Sequence, residues 1–491
     1  MARTFPRVLW IAAPLACFSY LYKLSAVGII GPDEPRYAAI GREMARSGDW
    51  ISPRLWGEGW YEKPPLLYWL SGLAFKLGLG PEIAPRLPVV LLALGFLAFY
   101  WWILNREFGC RTASFATLIL GTCGGWMGIS QVGVTDIPLT VTFSAAMLLT
   151  LSWIARCDAR FLPVASALLA LAVLAKSGVP VVLMAPLAWW AWRGRSSLEW
   201  LTVCRVVIIF LAIAIPWHVL CYLANGRIFV YTLFVQHQLQ RFTSGALLHT
   251  QPWWYYIPVM LGLLLPWTPL LLLAVRRDLY RDPRTQFLLA WLVFGFVFFS
   301  AASNKLAGYV LPLFPAATAL MALGLDRAVS AGRWLAACAL LLVTILIAVP
   351  LLPAAVSIGL THAPRPAFEW QWMLPGAIAV AAWLLDRQSR RLAAVLTIAL
   401  GALAGIVYVK QAATPELDRA ASARSFWMQI ASRRESTCVE SIRRNFQYGL
   451  NYYSDGPLPE CTSHPAPLHI VQPPGALPFV NTTTKGTVDL H

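Results

Sequence analysis

The sequence predicts an α-helical polytopic membrane protein with a small C-terminal α/β extracytoplasmic domain, and three observations carry that prediction. Of 491 residues, 58% are hydrophobic and only 13% are charged, whereas soluble domains average about 25% charged residues. Apolar runs long enough to cross a bilayer, roughly 20 residues for a hydrocarbon core of ~30 Å, recur from the N-terminus almost to residue 410. The stretch 411–491 lacks such runs and reads as short helix and strand segments.

Taken in order, about thirteen spans are expected. They lie near 8–29, 84–104, 112–130, 137–155, 161–175, 177–193, 205–223, 253–275, 286–302, 306–325, 334–352, 371–385 and 392–410. The segments 161–175 and 177–193 are short and poorly separated; about twelve spans remain if Lys176-Ser177-Gly178 instead sits inside a cavity at membrane depth. The expected division is therefore a transmembrane domain over 1–410, including long loops at 31–82 and 224–252, and a small soluble domain over 411–491.

Alternate connections collect arginine: Arg3 and Arg7, Arg106 and Arg111, Arg156 and Arg160, Arg193 with Arg195 and Arg205, Arg276 and Arg277, Arg327 and Arg333, Arg387 with Arg390 and Arg391. Short cytoplasmic loops show this bias, so the N-terminus is expected inside. Loop 31–82 and the C-terminal segment then face the outside, periplasmic in a bacterial inner membrane. The first segment reads as a retained helix, because no small-residue cleavage site precedes Tyr20-Leu21-Tyr22-Lys23. The net charge of +16 is mostly a topology signal, and no nucleic-acid partner is expected. With no glycine loop of phosphate-binding spacing, nucleotide chemistry is unsupported.

Seven of the nine cysteines fall in or beside the spans. Cys438 and Cys461 share the C-terminal segment, which this topology places in an oxidising compartment, so they are expected either to pair or to remain two buried thiols. In the same segment 416–434 reads as a helix, 438–442 and 468–471 as strands, and the tail from Pro473 as frayed.

Polar chemistry gathers in five outer-side patches. Loop 31–82 is too long for a simple connector. In it Asp33-Glu34-Pro35-Arg36-Tyr37 leads into a helix with Tyr37, Ile40 and Met44 on one side and Arg42 and Arg46 on the other, the pattern of a helix lying on a membrane surface. Asp33 there is either functional or a helix cap. Further along, Trp60-Tyr61-Glu62-Lys63-Pro64-Pro65 places a point cation at the interface, suited to a phosphate or simply snorkelling beside its local carboxylate. His237 and Arg241 are four apart and so share a helix face, ahead of the aromatic belt Trp253-Trp254-Tyr255-Tyr256. The stretch 303–309 offers the phenol of Tyr309, as a phosphate donor or an interfacial anchor. Asp136, just before Pro138, is a second cavity acid or another cap.

The ordered combination DEPRYAAIGREMARSGDW, YEKPPLLYW, QHQLQRF with PWWYY behind it, and NKLAGYVLPLFPA resembles the GT-C membrane glycosyltransferases. The nearest branch is the aminoarabinose lipid A transferases, with the protein O-mannosyltransferases more distant. The likeness covers the whole membrane region in order and extends loosely to YGLNYYSDGPLPE near the C-terminus. It implies a GT-C fold and an inverting hexosyl- or pentosyltransferase that takes a sugar from a polyprenyl-phosphate carrier among the membrane lipids. The acceptor it implies is lipid A or a related glycolipid, a protein in the O-mannosyltransferase alternative. Matched motif by motif, Asp33 takes the catalytic acidic position, and Lys63, Arg241 and Tyr309 take positions that bind the donor phosphate. Glu34, Tyr37, Tyr61 and Asp136 are further candidates. No cofactor is implied as a requirement. Glu62 and His237 match positions that can hold a metal such as zinc, and no third ligand is identified among His249, His362, His464 and His469. The C-terminal domain is small for the lipid A branch, which bears on the acceptor more than on the donor. A transporter or flippase of lipid-linked sugars is the competing class, and would place its polar groups at midplane on discontinuous helices.

Overall fold

A computed structural model describes residues 9–193, 198–239, 250–357 and 368–482. Helix α1 (Leu9–Leu21) is apolar along its length. Its C-terminal end leaves carbonyls that no helix can satisfy internally, and Lys410 Nζ donates there to Ser19 O and, just past the helix, to Tyr22 O, at 2.8 Å each.

Loop 31–82 is an ordered layer. Helix α2 (Asp33–Ser47) opens it and stops at Gly48, which adopts a left-handed φ of 76°. A two-stranded hairpin follows, β1 (Arg54–Leu55) and β2 (Glu58–Gly59), turning through Trp56 and Gly57, both at positive φ. Pro64-Pro65 then launches α3 (Leu66–Lys76). Helices α2 and α3 cross closely because Gly41 and Gly72 meet at the contact: a Cβ on Gly41 would clash with Ser71 Oγ, and one on Gly72 would lie 3.0 Å from Gly41 O. The expected surface-lying helix is therefore corrected. Residues 34–41 of α2 are all buried, so no apolar face is left to lie on a bilayer, and Arg42 and Arg46 are taken up by Asp455 of the C-terminal unit.

Among the described residues eight helices are long and apolar enough to cross a membrane, or nine if the sharply bent pair Trp253–Leu263 and Thr268–Ala274 counts as one span. They include α4 (Leu87–Phe108), α5 (Asp136–Leu149, continuing as helix to Arg156), α6 (Leu162–Lys176), α7 (Trp200–Asn225) and α8 (Arg391–Ala412). The expected 112–130 and 177–193 segments are interrupted. The first is Cys110–Thr122 then Gly124–Ile129, and the second is Val179–Leu183 then Ala185–Arg193. Cys123 is extended between the first two pieces, and the Gly124 amide turns to Leu265 O; in the second segment Pro180 and Pro186 lack the N–H that a continuous ladder would need. The spans Asp136–Arg156 and Ala307–Arg327 are each 89% buried, against 17% for Trp200–Asn225. The helices that begin at Asp136 and beside Tyr309 thus form the centre of the bundle, and α7 lies at its lipid-facing edge.

The C-terminal region is a small α/β unit. Strand β3 (Thr437–Ser441) runs parallel to β4 (Leu468–Val471), which pairs antiparallel with β5 (Phe479–Thr482). Helix α9 (Arg444–Tyr453) lies between β3 and β4 in sequence and packs Phe446 and Leu450 into their core. Cys438 and Cys461 are joined by a disulfide. Two expectations are corrected. The tail from Pro473 is not wholly frayed, since Val480 pairs with Ile470 and packs on that core. The helix expected over 416–434 breaks at Ser422, which is extended, bridges to Ile30 and accepts the Arg424 amide on its Oγ. The unit docks on the loop layer through Tyr452 Oη to Pro81 O (2.7 Å), Arg424 Nη1 to Ser25 O (2.9 Å) and Arg42 to Asp455 (2.8 Å).

Candidate functional site

The first turn of α2 sets the centre of the site. Asp33 is not the cap of that helix: Pro32 holds the capping position, and Asp33 is the first helical residue. Spacing of three brings Arg36 beside it on the same face, and the two form an ion pair. Arg36 also donates to Pro32 O (2.9 Å) and to Glu62 Oε2 (3.0 Å). The rings of Trp60 and Tyr448 lie 5.2 Å and 5.1 Å from its guanidinium carbon. Lys63 Nζ donates to the other oxygen of Glu62 at 3.0 Å.

Two cations and two carboxylates are thereby gathered in a small volume. Arg36, Glu62 and Lys63 are buried, while the Asp33 side chain keeps 35% of its surface open. Burial works against the charge on Arg36, but Glu62 and then Asp33 outweigh it and hold the guanidinium above its ordinary pKa. Tyr37 packs its ring against Tyr68 at 5.8 Å. Burial, then the fields of Glu62 and Asp33, push its phenol well above the usual range, so it stays a neutral hydroxyl.

Other candidates fall elsewhere. Glu34 is a structural lock: its fully buried carboxylate accepts from Arg86 Nε (2.7 Å) and Nη2 (2.8 Å), and from the amides of Ile30 and Gly133 (2.9 Å each). One side chain thus ties the Asp33 turn to the loop that launches α5 at Asp136. Tyr61 is an anchor too, donating to Asn225 Oδ1 at 2.7 Å and meeting Phe229 edge-on. Asp136 pairs with Lys176 Nζ at 2.9 Å, and that ammonium lies 4.1 Å from the Tyr309 ring centre. A second cluster, Asp136-Lys176-Tyr309, therefore joins the starts of the two central helices to the end of α6.

Arg241 and the side chain of His237 lie outside the described residues, as do His249 and His362. The metal expectation is weighed on Glu62. Both of its oxygens already face cations, Arg36 and Lys63, so a divalent ion there would add positive charge to a carboxylate that two cations share. Cys438, Cys461 and His469 lie close together. The two sulfurs are spent in the disulfide, and His469 Nδ1 meets Glu440 at 2.7 Å, so that group does not fit a metal either.

Sequence reasoning left three residues without a role. Arg36 stands in the quoted motif, and its spacing of three from Asp33 was the available signal. Lys176 carried one as well, being an ionisable residue at a membrane-depth helix end. Arg86 showed none, because its partner Glu34 is 52 positions away.

Residues 62–220 match the dolichyl-phosphate-mannose-protein mannosyltransferase family. An undecaprenyl phosphate-alpha-4-amino-4-deoxy-L-arabinose arabinosyl transferase of Erwinia tasmaniensis is 31% identical over 415 residues, 79% of this chain and 74% of that protein. The protein of the same name from Serratia proteamaculans is 31% identical, over 74% of this chain and 68% of its own length. The crystal structure of ArnT from Cupriavidus metallidurans bound to undecaprenyl phosphate aligns with a TM-score of 0.77 at 25% identity, over 98% of this chain and 99% of that one. The chain belongs to the undecaprenyl phosphate-aminoarabinose arabinosyl transferase family of GT-C membrane glycosyltransferases.

Proposed function

We propose that this integral membrane protein transfers a sugar, aminoarabinose or a close relative, from an undecaprenyl-phosphate carrier to lipid A or a related glycolipid. The arginine bias of alternate loops supports placing the site and the C-terminal unit on the periplasmic side, with the N-terminus cytoplasmic. The observation that carries the reading is the convergence of Arg36 and Lys63 on Glu62 beside a half-open Asp33.

In the reaction the bond between the anomeric carbon and the phosphate oxygen breaks, and its electron pair leaves with the lipid phosphate. Arg36 and Lys63, with Arg241 and the Tyr309 phenol, act as the donors that stabilise that growing charge. An acceptor oxygen attacks from the opposite face, so the anomeric configuration inverts. Where the acceptor is a hydroxyl, Asp33 takes its proton. Where it is a phosphate of lipid A, the nucleophile is already ionised, and Asp33 orients it and balances positive charge developing on the sugar. Lys176 holds Asp136 and faces Tyr309, which places it as the support of the second cluster.

The test is transfer by purified, reconstituted protein supplied with undecaprenyl-phosphate-linked aminoarabinose and lipid A. A mass increase of lipid A by one aminodeoxypentose residue is expected. Movement of intact lipid-linked sugar across the bilayer without any product contradicts the reading.

A further inference from the structure

We infer that Tyr448, carried by the C-terminal unit, is a positioning residue for Arg36, so that the donor-phosphate site is complete only with α9 docked. The inference rests on the reading that Arg36 meets the donor phosphate.

The guanidinium of Arg36 is held in two ways. Its N–H groups are directed at Pro32 O, Glu62 and Asp33. Its π-system is addressed by aromatic rings, Trp60 at 5.2 Å and Tyr448 at 5.1 Å. The second set is left untouched when a phosphate arrives at the guanidinium edge. Pro32 O, Glu62 and Asp33 engage three of the five N–H groups in the guanidinium's fixed fork, so an anion that binds Arg36 approaches the edge those carboxylates occupy and shifts the bonds made there. Rings above or below the plane do not compete for those donors. They hold the plane while its edge changes partners.

Trp60 belongs to the same loop as Lys63, whereas Tyr448 comes from more than four hundred residues away in sequence and must be brought in by docking. Several features show that its placement is built rather than incidental. The Trp56 ring, at the tip of the β1–β2 hairpin, stacks on Tyr448 with centroids 6.0 Å apart and planes 16° from parallel. One turn further along α9, Tyr452 repeats the arrangement, with the Arg42 guanidinium 4.4 Å from its ring centre. Tyr448 and Tyr452 are four apart and so present one face of α9 to α2. That face is fastened by Tyr452 Oη to Pro81 O, by Asp455 to Arg42 and Arg46, and by Tyr453 Oη accepting the Ile29 amide. At the point of closest approach, a Cβ on Gly28 would clash with Ser422 Oγ and lie 2.6 Å from Tyr453 Oη.

The experiment uses full-length protein in detergent micelles and reads two quantities, the affinity for undecaprenyl phosphate and the split between donor KM and kcat. Tyr448→Phe, which keeps the ring, is expected to stay near wild type. Tyr448→Leu is expected to raise the undecaprenyl phosphate Kd and the donor KM roughly 5- to 30-fold, the range of a partly to fully desolvated cation–π contact, with the melting temperature little changed. In an Arg36→Met background the same substitution should have no further effect on affinity. Equal losses for the Phe and Leu variants, or a Leu effect undiminished without Arg36, would overturn the inference. If Tyr448→Leu does not fold, Trp56→Leu, which removes only the brace, decides: a raised donor KM supports the inference and an unchanged one overturns it. Arg36→Met separates the two levels. If it leaves undecaprenyl phosphate affinity unchanged, the donor-phosphate reading itself falls. If it weakens affinity while Tyr448→Leu does not, only the role of Tyr448 falls.

Discussion

Replacing Arg86 by methionine should destabilise this protein severely while leaving every proposed ligand contact in place. Arg86 donates two bonds to Glu34, at 2.7 Å and 2.8 Å, and three to the carbonyls of Leu24 (3.1 Å), Val27 (2.5 Å) and Gly28 (2.9 Å). Without it, Glu34 keeps two backbone amides but no counter-charge, at a side chain with 0% exposure. Stranding one member of a buried pair costs about 3–5 kcal/mol, and each buried carbonyl left without a donor adds roughly 1 kcal/mol or more. Arg86→Lys should recover only part, because an ammonium cannot supply the planar fork. The double variant Arg86→Met with Glu34→Leu should be more stable than Arg86→Met alone, since it removes the orphaned charge. Unfolding of wild type, Arg86→Met, Glu34→Leu and the double variant in mixed micelles, followed by tryptophan fluorescence, measures the coupling. Strictly additive effects, or an Arg86→Met protein within about 0.5 kcal/mol of wild type, would refute the lock.

Three further outcomes are expected. Cys438→Ser with Cys461→Ser opens a loop with a sequence separation of 23 and should cost the C-terminal unit about 3 kcal/mol, read as faster proteolysis beyond residue 430 with the membrane helices intact. Burial would raise the Asp455 pKa, but the Arg46 hydrogen bond and the charges of Arg42 and Arg46 hold it below the usual carboxylate range. With a depressed folded-state value, its contribution to docking is fully present above about pH 4 and is lost as pH falls through the lower folded value. Hydrogen exchange in α9 should therefore rise in that acidic window and not between pH 5 and 8. Chelator treatment should leave transfer unchanged, because both oxygens of Glu62 are held by cations; loss of activity restored by zinc would contradict this.

Much of the architecture is legible in the sequence because long apolar runs and the Arg-rich loops are local signals. The fold class follows from them, as does the order of the motifs. Counting crossings is harder. The segments near 112–130 and 177–193 have the composition of spans, yet an extended Cys123 interrupts the first and prolines the second, and composition alone does not report a break. Helix α2 misled for a different reason. Its pattern of Tyr37, Ile40 and Met44 opposite Arg42 and Arg46 fits a membrane surface equally well as a tyrosine-rich partner that arrives four hundred residues later. The same distance in sequence hides Arg86 from Glu34 and Tyr448 from Arg36, whereas the Asp33–Arg36 pair could be read from a spacing of three. Glu62 and Lys63 are adjacent in sequence and were visible as a pair. What sequence did not show is that Arg36 shares the same carboxylate.

The central claim is that this cluster transfers sugar with Asp33 at its open edge, and Asp33→Asn tests it most directly. Turnover is to be measured with purified variant and undecaprenyl-phosphate-linked aminoarabinose, alongside its affinity for undecaprenyl phosphate. The account predicts a fall in kcat on the order of 10²-fold or more, with the protein folded and carrier binding retained. Wild-type turnover by the Asp33→Asn protein would contradict it.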